Sequence, residues 1–295
     1  MENEKSWAAT VLGEPLTLNA WLPCFAGRGR VGGLSPSAAT PPFPPPWLQD
    51  LAGAWIFYPV LPSWPGIPPR FERIARFAPW MGLLIGSLQA LLWALLQGHV
   101  PLLAQVCLVL AAGLVLTGGL HMDGAMDTAD GLAAGERLLE AMQDSRVGAS
   151  GAQALALLLL LKAGALAALE SAAPLALVWA ALWGRMAPLL AVAWFPYLHP
   201  RGSAGFHRRH WAGLLREAMP GLLAVGALLV LCLAKGWSLL GLAGALPALL
   251  VPGWLGRRLG GHSGDSYGAC VEWTEMLALL ISGLAPFLSP LGQAG

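Results

Sequence analysis

The sequence predicts an all-α protein: a polytopic membrane helix bundle of about seven transmembrane helices, with a short interfacial segment before the first. Three observations lead there. Hydrophobic residues make up 56% of the 295-residue chain and charged residues only 11%, against about a quarter charged in soluble domains. The mean hydropathy is +0.62, so the chain lacks the polar residues to cover a water-facing surface. The apolar residues also fall in charge-poor runs of about twenty, the length that crosses a hydrocarbon core.

Residues 1–50 read as a poorly ordered extension, ahead of an integral membrane domain over 51–295. The extension carries Gly-Arg-Gly-Arg at 27–30 and PPFPPP at 41–46, and proline removes backbone donors and disfavours helix. Its start, MENEKSWAATV, has no basic stretch before an apolar core and does not resemble a cleaved signal peptide. Residues 51–69 are apolar and aromatic, but proline breaks them up and they are too short to span. They read as an interfacial or re-entrant segment with Trp55, Tyr58 and Trp64 at headgroup depth. Arg70, Arg73 and Arg76 then mark a membrane edge.

Spans are expected over 78–97, 101–120, 152–170, 174–198, 219–235, 238–255 and 274–291. The fifth and sixth are joined tightly enough to form a hairpin. Lys162 and Arg185 are the charged residues well inside spans, and a charge at that depth marks function by default. Snorkelling towards an interface is the competing explanation for Lys162, whereas Arg185 should face the bundle interior.

Alternation of seven spans places 70–77, 121–150, 199–218 and 256–273 on one side. Those segments hold eleven of the seventeen Lys and Arg residues, and the opposite loops hold only Lys235. The positive-inside rule therefore puts them, and every acidic motif, on the cytoplasmic face. The net charge of +1 comes with no basic tract, so no nucleic-acid partner is expected. Cys24, Cys107, Cys232 and Cys270 are scattered, which argues against a zinc or disulfide framework.

The chemistry is concentrated in Thr117 to Gly131, TGGLHMDGAMDTADG, which follows a run from 77 to 122 without Asp, Glu, Lys or Arg. On a helix, Asp123, Asp127 and Asp130 stand at i, i+4 and i+7, within roughly 60° of one another. Like charges so placed repel, unless a cation comes to sit among them. Such carboxylates suit Mg²⁺, which bridges protein oxygens to substrate phosphates. The plainer alternative is an acidic, solvated turn after a span. Downstream, Asp144-Ser145-Arg146 precedes a Gly/Ser run whose backbone N–H groups open the third span. They form a natural phosphate site, with Arg146 as a bidentate partner.

A second acidic stretch, LGGHSGDSYGACVEWTE at 259–275, sets Asp265 and Glu272 seven apart, with Glu275 three further on. Both acidic stretches open with Gly-Gly and a nearby histidine, His121 or His262. Either histidine suits general-base or phosphate-donor work, although a histidine in a polar loop is commonly just solvated. Glu272 and Glu275 also read as a polar lead-in to the last span. His199, His207 and His210 with Arg201, Arg208 and Arg209 form a basic loop suited to anionic lipid.

GGLHMDGAMDTADG, MQDSRVGASG and GGHSGDSYGACVEWTE together closely resemble the cobalamin synthase family, the adenosylcobinamide-GDP ribazoletransferases, over about 51–291. The loop at 202–206, GSAGF, matches that family's glycine-rich segment only loosely. The resemblance implies a Mg²⁺-dependent enzyme of the bacterial inner membrane, its site facing the cytoplasm. It joins adenosylcobinamide-GDP to α-ribazole or α-ribazole 5′-phosphate and releases GMP. Asp123, Asp127 and Asp130 would hold Mg²⁺ against the diphosphate, with Asp130 or His121 as proton acceptor. Asp144, Arg146, Arg185, His262, Asp265 and Glu272 would bind substrate. Partners beyond substrates and the bilayer are left as self-association or association with other late corrinoid-pathway enzymes. A UbiA-like prenyltransferase and a CDP-alcohol phosphotransferase share the metal-diphosphate logic, but the former's Asn in its first motif and the latter's DGxxAR are absent. A transporter should carry its polar residues near mid-membrane rather than at the rim.

Overall fold

A computed structural model describes residues 44–199 and 203–288. The extension up to residue 43, and Arg201 of the basic loop, lie outside the described residues. The described helices are α1 (Pro46–Phe57), α2 (Ala78–Leu96), α3 (Leu102–Leu116), α4 (Leu120–Ala133), α5 (Leu138–Gln143), α6 (Ala149–Leu169), α7 (Ala173–Trp194), α8 (Phe206–Arg209), α9 (Leu214–Lys235), α10 (Ala245–Leu259) and α11 (Gly264–Leu288). The extended pairing among the described residues is one parallel bridge, Tyr197 to His262.

Helix α1 begins within the stretch read as extension. Pro46 stands at its start, where a missing N–H costs nothing because the first turn has no acceptor for it. The proline run thus ends in a helix start. Buried Asp50 on α1 pairs with Arg70 at 3.0 Å and Arg76 at 2.7 Å, and Arg73 pairs with buried Glu217 at 2.6 Å. The arginines read as a membrane edge are therefore folded onto α1 and α9.

Five helical stretches are long and apolar enough to cross a membrane: Ile74–Leu96, Ala149–Trp194, Leu214–Lys235, Leu240–Leu259 and Gly264–Ala285. The second has 46 residues, about twice what a bilayer needs. A 3₁₀ turn at Glu170–Ala172 divides it into α6 and α7.

The span expected at 101–120 departs from this pattern. Helix α3 stops at Leu116, and α4 leaves it at 90°. Gly118 and Gly119 make the break, with φ of 59° and 73°, values that a residue without Cβ adopts at little cost. Their N–H groups bond back to Val115 and Leu114, while the Val60 N–H reaches the Leu116 carbonyl at 2.7 Å. The aspartate motif consequently occupies a helix of its own rather than the tail of a span.

Helices α7 and α11 form the centre. Helices α2, α9 and α10 pack on α7, and α4, α6 and α10 pack on α11. On α2, Gly82 and Gly86 lie directly against the α7 backbone at Ala181 and Leu177. Small residues four apart allow such close approach in membranes, where dispersion rather than water expulsion joins helices. Helices α9 and α10 pack on α7 rather than chiefly on each other, so the expected hairpin gives way to two helices sharing one neighbour.

Candidate active site

The two acidic stretches meet where α4 crosses the start of α11. Gly124 sets the distance: a methyl group there would stand 2.5 Å from the Asp265 carbonyl oxygen. One on Gly268 would stand 2.9 Å from the His121 carbonyl oxygen. The crossing brings Asp265 beside Asp123 and Asp127. Asp123 is exposed, and Asp127 and Asp265 are half-buried. Burial first, then the charges of Asp123, Asp265 and Asp130, push the Asp127 carboxyl up to about 7. Neither Asp123 nor Asp127 has a hydrogen-bond or ion-pair partner among the described residues for its carboxylate. Substituting Gly124→Ala should separate the helices, at a cost of about 1–3 kcal/mol. The loss should be read as a lower Tm, with Asp265 moved away from Asp127.

Asp130 is differently employed. Its carboxylate accepts the Gly148 N–H and the Gly151 N–H, each at 2.8 Å. It therefore caps α6, where the helix dipole favours negative charge. The N–H groups read as a phosphate site are in part occupied by this side chain, and both Asp130 oxygens are engaged as acceptors. Asp130→Ala should cost about 1–3 kcal/mol through the unpaired amides, seen as a lower Tm and faster hydrogen exchange at Gly148 and Gly151.

Several other residues read as site components face inward. His121 is 4% exposed, with Nδ1 unpartnered and its ring stacked on Tyr58 at 6.3 Å. Burial, then Arg185 and Lys162, hold its pKa well below the usual value. The charges that reach it belong to the bundle interior. There Lys162 pairs with Glu272 at 2.6 Å and with Glu275 at 2.9 Å, and Arg185 pairs with Glu275. Lys162 is buried and does not snorkel, and Glu272 points away from the acidic rim into an ion pair. The four charges border a cavity of about 40 Å³ shared with Gln89 and Thr117.

His262 is fully buried and held at both nitrogens, by Pro252 O at 3.1 Å and Ser266 Oγ at 2.9 Å. The carbonyl can only accept, so Nε2 carries the proton, and Nδ1 is held against the Ser266 hydroxyl. It has no nitrogen left for a substrate. Burial lowers its pKa to about 4 and that of His207 to about 3. Between about 6.5 and those values the folded protein binds fewer protons than the unfolded chain. Stability present above pH 6.5 is therefore lost as pH falls. Thermal unfolding should show a Tm falling from pH 6.5 to 4, and His262→Gln should flatten that slope while lowering Tm throughout.

Asp144 and Arg146 form an exposed bidentate pair at 2.6–3.2 Å, which pulls the Asp144 carboxyl down to about 2. They stand on the loop into α6, beside the acidic crossing in sequence but committed to each other. The structure adds two residues not singled out as site components. They are Tyr197, which forms a parallel bridge with His262, and His199, which contacts Gln143 at 3.2 Å. Their loop is fixed to the second acidic stretch by Leu198 N–H to His262 O at 2.8 Å and His262 N–H to Pro196 O at 2.9 Å. The sequence showed His199 only as part of a basic loop, and nothing in its spacing linked it to residues 262–265.

Among the described residues no three His, Cys, Asp or Glu side chains are grouped so as to hold a metal by themselves. The donor set still fits Mg²⁺, which retains waters and takes one or two carboxylates together with substrate phosphates. Asp123 and Asp127, oxygen donors without partners, are the pair available.

The sequence model of the family described as cobalamin-5-phosphate synthase matches residues 50–283. A protein of Prochlorococcus marinus (strain MIT 9303), named adenosylcobinamide-GDP ribazoletransferase, is 57% identical over 250 residues, covering 80% of this chain and 96% of that protein. One of the same name from Thermosynechococcus vestitus is 44% identical over 237 residues, covering 79% and 95%. A third, from Synechocystis sp., is 42% identical over 254 residues, covering 79% and 94%. No solved structure matches. With the acidic crossing of α4 and α11 inside the matched range, the chain belongs to the cobalamin-5-phosphate synthase family.

Proposed function

We propose that this chain joins adenosylcobinamide-GDP to α-ribazole, or to its 5′-phosphate, and releases GMP. Its relatives carry that activity in their names. The observation that carries the reading to a place in the molecule is the pair of unpartnered carboxylates, Asp123 and Asp127, beside Asp265. Repelling charges left without a basic partner cost stability, and a phosphate-bound cation is what such an arrangement accommodates.

Asp123 and Asp127 would hold Mg²⁺, which when bound offsets charge on the diphosphate and on the departing oxygen. Asp265, on the facing helix, orients a ribose hydroxyl of the incoming nucleoside and takes its proton. The hydroxyl oxygen bonds to the phosphorus on the cobinamide side as the bond to the bridging oxygen breaks. GMP leaves in line and the proton follows to bulk water. Asp130 fixes the start of α6 against α4 and thereby holds Asp127 in place. Arg146 lies on an exposed loop, where exchanging Asp144 for a phosphate would give it a bidentate partner. The bundle belongs in the bacterial inner membrane with this site facing the cytoplasm, supported by the eleven-to-one partition of basic residues.

The test is an assay of purified, detergent-solubilised protein with adenosylcobinamide-GDP and α-ribazole, with and without Mg²⁺. GMP release that requires both substrates and the metal is expected. Release without the nucleoside, or undiminished by a chelator, would overturn the mechanism.

A further inference from the structure

A shallow groove of about 270 Å³ runs between the end of α7 and helix α10. Trp194, Phe195, Leu249, Leu250, Gly253 and Arg257 line it. Its residues divide by depth. Arg257 lies in the last turn of α10, within a segment that the charge partition places on the basic side of the membrane. Leu249 is eight residues earlier, about 12 Å further along the axis towards the apolar interior. Trp194, Leu249 and Leu250 are 47%, 49% and 59% exposed in the protein, so the groove is open to whatever surrounds the bundle at that height.

Its mouth carries unbalanced charge. Neither Arg257 nor Arg258 has a carboxylate partner among the described residues. Arg258 lies over the outer face of Trp254, 5.8 Å from the ring centre. The floor is made by Gly253. A Cβ there would meet nothing within 4 Å except the Arg257 Nη1, at 3.8 Å, so the guanidinium already folds across the opening. An unpaired guanidinium at headgroup height, with an aromatic and aliphatic wall rising from it, matches one occupant: a phospholipid without a cation of its own.

We infer that this groove is a binding site for an anionic phospholipid, its phosphate on Arg257 and an acyl chain along Leu249, Leu250 and Trp194. The site is separate from the acidic crossing, and the inference rests on the chain being an integral membrane protein, not on its chemistry. Its occupant is recognised by net charge and by chain together, so neither an apolar chain with a zwitterionic headgroup nor a free anion substitutes for it.

The experiment uses the full chain purified in neutral detergent and titrated with phosphatidylglycerol or with phosphatidylcholine of the same acyl chains, bound lipid being counted by native mass spectrometry. One phosphatidylglycerol should be retained in preference to phosphatidylcholine by about tenfold, because the choline cation of the latter offsets the phosphate charge that Arg257 would otherwise meet. Arg257→Ala should abolish the preference, and Gly253→Leu, which places a side chain in the groove, should abolish retention of either lipid. Excess inorganic phosphate should displace nothing. Equal retention of the two lipids, an unchanged preference in folded Arg257→Ala protein, or displacement by phosphate alone would each overturn the inference. Tm for both variants shows that they are folded, and GMP release reports on the other site independently.

Discussion

Asp127→Asn should insert and fold normally yet lower GMP release by roughly two to three orders of magnitude, the scale set by losing one preorganised charge at a developing phosphoryl transition state. The substitution keeps the side chain's shape and removes one charge from a cluster that includes Asp123 and Asp265. In the absence of Mg²⁺ it therefore relieves repulsion, and Tm should stay level or rise. The rise should be small, below about 1 kcal/mol. Burial and its neighbours hold the Asp127 carboxyl up to about 7, so near neutral pH it is already partly protonated. Loss of turnover with retained or improved stability marks a group kept for function at the expense of the fold. A substitution that merely damaged α4 would lower both. Asp123→Asn should behave alike, with less gain in stability, since Asp123 is exposed. Added Mg²⁺ should raise the Tm of the parent protein but not of Asp127→Asn. Near-normal turnover in both variants would remove Asp123 and Asp127 as metal ligands.

The parts of this arrangement legible in the sequence were those set by local rules. Helical spacing put Asp123 and Asp127 on one face, and α4 runs from Leu120 to Ala133. Composition and run length gave a helical membrane bundle. The break after Leu116 was not seen because hydropathy counts apolar residues and does not register that Gly118 and Gly119 both adopt positive φ. The Gly-Gly pair is visible in the sequence, but nothing in its spacing gives the 90° angle between α3 and α4. Asp130 shares the face of Asp123 and Asp127 by spacing, and only the position of α6 turns its carboxylate into a cap. Likewise, seven-residue spacing placed Asp265 and Glu272 on one side of α11, but it carries no depth. Two turns along the helix separate a half-buried rim carboxylate from one that is 5% exposed and paired. Long-range pairing is what a single sequence conceals most, and Lys162 with Glu272 spans 110 positions.

That interior quartet predicts the largest effect on stability. Lys162 and Arg185 supply two positive charges, Glu272 and Glu275 two negative ones, and the set is neutral as a unit. Lys162→Met should cost about 3–5 kcal/mol, because it leaves Glu272 buried with no counter-charge and Glu275 with only Arg185. For a chain of this size that is a Tm lower by roughly 6–20 °C. The double substitution Lys162→Met with Glu272→Gln restores neutrality and should recover most of the loss, since replacing both partners of a buried pair is far cheaper than removing one. The pair of variants also decides what Glu272 does. If it binds substrate or a second metal at the rim, the double variant will be stable but inactive, as Asp265→Asn is expected to be. If its work is to hold α11 against α6, stability and GMP release will return together. The second outcome is the expected one, because the Glu272 carboxylate, which the resemblance assigned to substrate, is 2.6 Å from the Lys162 ammonium. A double variant that folds as well as the parent but releases no GMP would return Glu272 to the active site.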